Sequence, residues 1–270
     1  INIKSADWDI FSNGGMTTGG GAKSTQFLLY KNLIFYFFQP PASVAWFMVF
    51  HLFFGAAGAY LYCRTVGASP FASLLGGLIF AVAPENASLI NAGHVMKIAT
   101  ISFVPWAFYF FEKGFQTRKL IFFLATAFTL AFQFFNTHWQ VAYYTCLCIG
   151  VYALLRGAGI LINEWRTAGK GEISKLIGMN LVTMIFFLST VAISLLPLAH
   201  WSTETTRGAK SGAGGGKGGI SVQEGMLWSL PPEELSTFII PGLIGLSRQE
   251  GGENPTNIRS YYWGRMIFTQ

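Results

Sequence analysis

The chain has 270 residues, of which 52% are hydrophobic, 16% aromatic and only 11% charged, and its mean hydropathy is +0.44. A soluble domain of this size has no use for so much apolar surface, so the composition argues against a soluble protein and for a membrane one. The formal net charge of +6 is no nucleic-acid signal, because the cations cluster in short loops and not along one amphipathic face.

The first 41 residues are predicted to form a loop containing one interfacial helix, over 26–38 (QFLLYKNLIFYFF), interrupted by Lys31 and Asn32 and closed by Gln39-Pro40-Pro41. Residues 42–62 are apolar apart from Ser43 and His51, long enough at about 1.5 Å per residue to cross a hydrocarbon core of about 30 Å. A second clear span covers 176–199, and between the two lie shorter apolar runs at 70–83, 98–111, 120–135 and 141–155. The expected fold is all-α, a polytopic bundle of six spans over 42–199, followed by a loop region over 200–270. The stretch from Gly208 to Gly219 is a flexible linker by composition. With no initiator methionine and an abrupt stop after Tyr262-Trp263-Gly264, both ends read as cut.

Orientation follows from the loop cations. Arg64, then Lys113, Arg118 and Lys119, then Arg156, Arg166, Lys170 and Lys175 follow spans one, three and five, whereas the alternate loops hold only Lys97. By the positive-inside rule the first set is cytoplasmic. The polar constellations then collect outside: Asp7-Trp8-Asp9, Glu85-Asn86, Asn91 to Lys97, Asn136-Thr137-His138-Trp139-Gln140 and Glu204 to Gly208. Spans two and three, at about 14 residues and about 21 Å each, are too short to cross alone. The connection over 84–97 is therefore expected to dip into the outer leaflet as non-helical backbone lining a watered cavity.

Each constellation has two readings. His94 and Lys97 at i and i+3 share a helix face and can meet one anionic ligand such as a phosphate, or else be a capping histidine beside a snorkelling lysine. Asn136 and His138 can bind ligand or cap the next helix. Tyr143 and Tyr144 read as interfacial belt residues. Glu204 and Arg207 form either a phosphate site or a surface pair. Asp7 and Asp9 have the D-x-D spacing that holds a divalent metal or supplies a general base, in a loop where they serve equally as turn formers. His51 reads as a packed histidine. The three cysteines, Cys63, Cys146 and Cys148, make no disulfide framework or zinc spacing. Gly15 to Ser24 lacks the glycine before lysine and the preceding strand of a P-loop.

The order of Gly15-Met16, Ala92-Gly93-His94-x-x-Lys97, Asn136-x-His138-x-Gln140 with Tyr143-Tyr144, Glu204-x-x-Arg207-Gly208, Trp228-Ser229 with Glu234, Ile240-Pro241 with Gly245, and Tyr262-Trp263-Gly264 resembles the bacterial YfhO-like membrane protein family. The likeness runs through nearly the whole chain, and the order of motifs is its most specific feature. It implies a glycosyltransferase of the GT-C type in the bacterial inner membrane, taking a sugar from a polyprenyl-phosphate donor to a cell-envelope acceptor on the extracytoplasmic side. Lys97, Arg207 and His94 would meet the donor phosphate, with Asn136, His138, Gln140 and Glu204 orienting substrate. An acid, Asp9, Asp7 or one upstream of Ile1, would serve as base. A divalent cation, Mg or Mn, bridging carboxylate and phosphate fits this chemistry, although the sequence offers no complete ligand set.

Overall fold

A computed structural model describes residues 8–9, 16–17, 29–136, 138–164, 169–202, 235–236 and 239–240. Two compact units divide the chain, Ile1–Leu198 and Ala199–Gln270. The first begins with a short antiparallel ladder, β1 (Trp8–Asp9) on β2 (Met16–Thr17). Nine helices follow among the described residues: α1 (Leu29–Phe37), α2 (Ala42–Thr65), α3 (Pro70–Val82), α4 (Pro84–Asn91), α5 (Val95–Ser102), α6 (Val104–Thr117), α7 (Leu120–Phe135), α8 (Trp139–Glu164) and α9 (Gly169–Ser202). In the second unit the described residues are the last turn of α9 and two short pieces, 235–236 and 239–240.

Four stretches are long and apolar enough to cross a membrane: Ala42–Thr65, Pro70–Asn91, Trp139–Ile162 and Gly171–Leu196. The first three contain the predicted spans 42–62, 70–83 and 141–155 and extend them, and the fourth overlaps the span predicted over 176–199. The interfacial helix expected over 26–38 is helical over Leu29–Phe37. The run expected over 98–111 is two helices, α5 and α6, meeting at Phe103. Pro105 in the first turn of α6 explains the break, since it has no amide to return to Ile101 and its ring crowds that carbonyl. The Leu120–Phe135 helix is apolar but shorter.

The stretch over 84–97, expected to be non-helical, is mostly ordered as helix. Pro84 opens α4 directly after Ala83, the single extended residue that ends α3. The buried Asn86 side chain turns back and donates from Nδ2 to the Phe80 carbonyl at 2.7 Å and to that of Ala81 at 3.2 Å. Those are carbonyls that a broken helix leaves open, and in apolar surroundings they must be satisfied internally. Other polar residues inside the apolar helices are handled in the same way. Ser73, Thr100, Thr126, Thr129, Thr145 and Thr183 each return a hydroxyl to the carbonyl four residues earlier. His51 is buried between Phe47 and Phe50, its Nδ1 2.8 Å from the Phe47 carbonyl.

Side-chain bonds set how the helices align. Trp106 Nε1 donates to the Phe54 carbonyl at 2.8 Å and Gln116 Nε2 to that of Thr65 at 2.9 Å, so α6 runs beside α2 in the same direction. A two-residue turn, Arg118-Lys119, returns the chain as α7. Gln133 Nε2 on α7 reaches the Thr100 carbonyl of α5 at 2.9 Å and Thr145 Oγ1 of α8 at 3.2 Å. At the other end Glu112, nearly sealed from solvent, receives Arg156 Nε at 3.0 Å, a second Arg156 nitrogen at 2.7 Å, Tyr152 Oη at 2.8 Å and Gln116 Nε2 at 3.0 Å. Beside Glu112, Phe111 and Phe115 of α6 pack edge to face with each other and with Phe123 of α7 at 5.0–5.7 Å.

Small residues allow the closest approach. Gly55 and Gly58 of α2 make room for the Phe80 and Trp106 rings, and a Cβ on Gly77 of α3 would lie 2.8 Å from the Ala56 backbone oxygen. This is the small-residue packing by which helices associate where no hydrophobic drive separates protein from lipid. Gly77→Ala is therefore expected to push α3 off α2 and to destabilise the bundle by about 1–3 kcal/mol in detergent unfolding. Gly150→Ala, where an added Cβ meets open space, should be neutral or slightly stabilising. A second expectation concerns Glu112: Arg156→Ala leaves a buried carboxylate short of donors and should cost about 2–3 kcal/mol, less than a wholly buried pair because the arginine is partly exposed. Replacing both residues with leucine should recover part of that loss in a double-mutant cycle.

Candidate functional site

The turn Ala92-Gly93-His94 between α4 and α5 and the turn between α7 and α8 lie at the same end of the bundle. Gly93 has φ 73°, in the left-handed region that glycine takes without strain. The chain there reverses tightly and leaves His94 at the start of α5. Lys97 stands one turn along α5, half-buried, with Nζ 3.6 Å from a carboxylate oxygen of Glu85 in the first turn of α4. Glu85 is mostly exposed, so this is a solvated ion pair and not a hydrogen-bonded one, of the kind worth at most about 1 kcal/mol.

His138 comes from a segment forty residues away in the chain yet joins this group. Its imidazole is held below the ordinary histidine pKa of 6.5, first by burial, then by the positive charge of Lys97, and more weakly by that of His94. The ring lies close enough to its own backbone for this to offset part of the lowering. Its Nδ1 nonetheless makes no hydrogen bond of acceptable geometry among the described residues. The same holds for Trp139 Nε1 and Gln133 Oε1, both buried atoms. All three belong to the end of α7 and the start of α8.

Of the residues selected from the sequence, the structure brings His94, Lys97 and His138 together, with Glu85 beside Lys97. Asn136 is wholly buried at the end of α7, where its backbone amide closes on the carbonyls of Phe132 and Gln133. Gln140 lies exposed on α8, donating to Tyr144 Oη at 3.1 Å along its own helix, and Tyr143 and Tyr144 are likewise exposed. Asp9 enters only through the backbone of β1. Asp7, Glu204 and Arg207 lie outside the described residues. Among the described residues no three His, Cys, Asp or Glu side chains come together as metal ligands.

Two residues that the sequence reading passed over matter here. Gln133 is fully buried and joins α5, α7 and α8. Its signal was available, a lone amide inside the apolar run 120–135. Glu112 lies just past the predicted end of the third span, and its partner Arg156 was counted as loop charge.

His138 lies within electrostatic reach of Lys97 and, more weakly, of His94, while Lys97 is paired with the solvated carboxylate of Glu85. The chain matches no family model, no curated protein and no solved structure.

Because the folded pKa of His138 is lowered, the unfolded chain binds the proton more tightly. The contribution of neutral His138 to stability is then complete above pH 6.5 and is lost as pH falls through the folded value. In histidine-selective NMR the His138 ring should titrate below 6.5, and Lys97→Ala should move its midpoint upward. An unmoved midpoint would mean that Lys97 does not face the ring.

Proposed function

We propose that this chain is the donor-handling part of a membrane glycosyltransferase of the GT-C type, in which Lys97, His94 and His138 receive the phosphate of a polyprenyl-phosphate sugar. The observation that carries this reading is the convergence of three basic groups from two distant segments at one end of a bundle with membrane-crossing helices. The order of motifs along the sequence supports the narrower family assignment. In this reading the six apolar stretches all cross, and the site opens to the extracytoplasmic side of a bacterial inner membrane.

The chemistry follows from where charge develops. The acceptor hydroxyl oxygen attacks the anomeric carbon, the bond from that carbon to the phosphate oxygen breaks, and the polyprenyl phosphate leaves with the electron pair. The hydroxyl proton passes to a carboxylate, with Asp9 or Asp7 as candidates. Cationic groups already fixed at the leaving phosphate stabilise the charge that grows there, usually the largest single catalytic effect. Asn136 and Gln140 complete the substrate contacts in this scheme.

Interruptions at Ala83 and Phe103 favour a second reading, a transporter of a lipid-linked or anionic substrate built on broken helices. It predicts substrate movement without cleavage of the sugar–phosphate bond.

Sugar transfer from radiolabelled polyprenyl-phosphate sugar in membrane vesicles separates these readings. Lys97→Ala is expected to lower transfer by about 100-fold with the protein still inserted, and His138→Ala to lower it less. Wild-type rates in both variants would remove these residues from the site, and transport without transfer would replace the enzyme by the transporter.

A further inference from the structure

Away from the histidine cluster, a groove of about 450 Å³ opens between α6 and α7 with Phe54 of α2 at its edge. Trp106 and Phe110 form one wall, one helical turn apart on α6. The other wall is a stripe of α7 in which Ile121, Leu124, Phe128 and Phe132 recur every three or four residues. The one hydroxyl in the lining, Thr129 Oγ1, is already spent on the Ala125 carbonyl at 2.8 Å. An occupant of this groove therefore needs no polar atoms along its length.

Its dimensions and its end narrow the choice. From Ile121 to Phe132 is eleven residues of helix, about 17 Å, close to half of a hydrocarbon core of about 30 Å. The groove thus has roughly the depth of one leaflet. At the Ile121 end α7 begins directly after Arg118 and Lys119, and no side chain accepts a hydrogen bond from its first amides. Lys113 stands just before this turn on α6. A helix N-terminus carries partial positive charge, so amides and cations meet where the stripe starts. A soluble anion would use the cations and leave the stripe bare, and an apolar helix would fill the stripe and gain nothing from the cations. One molecule matches both parts.

The geometry points to a site for an anionic phospholipid of the surrounding bilayer, with one acyl chain along the Ile121 to Phe132 stripe and the phosphate at the Arg118-Lys119 turn. Its headgroup end, at the Arg118-Lys119 turn, is at the opposite end of the bundle from His94, Lys97 and His138, and the site does not depend on the function proposed for them. Ile121 is 65% and Phe128 48% exposed, so a chain can enter sideways from the membrane. Bound there, the lipid would cover the seam between α2, α6 and α7. Basic residues at a membrane surface select anionic over zwitterionic headgroups by about 1 kcal/mol each.

The full chain would be placed in phosphatidylcholine nanodiscs containing a minor fraction of phosphatidylglycerol that carries a diazirine in its acyl chain. After irradiation, adducts are expected to concentrate on Phe110, Leu124 and Phe128, well above those on Leu154, Leu155 and Ile193, which are more exposed on α8 and α9. The same diazirine chain on phosphatidylcholine should label the groove less. Lys119→Glu reverses one charge and should cut phosphatidylglycerol labelling of the groove on the order of tenfold, whereas Ala125→Trp should remove it by filling the space. Even labelling of all exposed faces would overturn the proposal, and so would equal labelling by both headgroups. A groove protected from lipid by a second copy or by another segment of the protein, seen as protein–protein adducts at Phe128, would overturn it as well.

Discussion

A carboxylate inside an apolar helical bundle dictates its surroundings more strictly than any apolar contact does. Glu112 has two oxygens to satisfy, and it does so with two nitrogens of Arg156, the Tyr152 hydroxyl and the Gln116 amide. Apolar surfaces tolerate a slide of a few ångströms along a helix. This network does not, because a slip of α8 by one residue would carry Arg156 and Tyr152 away from the acid and leave its charge uncompensated at a cost of several kcal/mol. Gln116 continues the constraint to the Thr65 carbonyl of α2. One buried acid thereby fixes the axial register of α2, α6 and α8 together, and through the short Arg118-Lys119 turn that of α7.

The register fixed at one end determines what meets at the other. About three turns along from Glu112 on the α5–α6 strand of the bundle, Thr100 falls level with Gln133 of α7 and Thr145 of α8. One turn beyond Thr100 comes Lys97 on α5, and two turns before Thr145 comes His138 at the head of α8. Their proximity, felt in the lowered pKa of the imidazole, is a consequence of helix alignment and needs no direct bond between them. Packing of rings such as Phe111 on Phe123 adds area and rigidity, each pair contributing about 0.5–1.5 kcal/mol, but it is the polar layers that make the alignment unique.

This division explains how far the sequence could be read. Apolar runs of twenty or more residues declare themselves, and so the helices over 42–65 and 171–196 were anticipated to within a few residues. The run 70–83 ends where Pro84 stands, but the break at Phe103 falls inside the run expected over 98–111, Pro105 notwithstanding. The helix that Pro84 begins was not legible, because its stability rests on Asn86 folding back to carbonyls five and six residues earlier. In sequence Asn86 belongs to the connection expected over 84–97; in the fold it is a cap. Glu112 and Arg156 were no more legible: forty-four residues apart, each resembled ordinary loop charge. His94 and Lys97 were legible because helical spacing places them on one face. That His138 joins them depends on long-range alignment, which composition and periodicity do not carry.

Magnitude separates the two charged clusters. The Glu112–Arg156 pair is bidentate, at 2.7 and 3.0 Å, around an acid with almost no solvent access. An incoming anion would have to displace a carboxylate that has nowhere to go, so this pair is closed to ligands. The Lys97–Glu85 pair is 3.6 Å long with the acid two-thirds exposed, and Glu85 regains water if it swings away. Displacing it costs no more than about 1 kcal/mol, less than a charge-assisted hydrogen bond to a phosphate returns. An anion arriving at Lys97 would also reverse the unfavourable field on His138 and draw a proton onto it, adding a second cation to the same ligand. The exposed and weakly held pair is thus the one poised to exchange partners, and the buried one holds the helices that bring it into place.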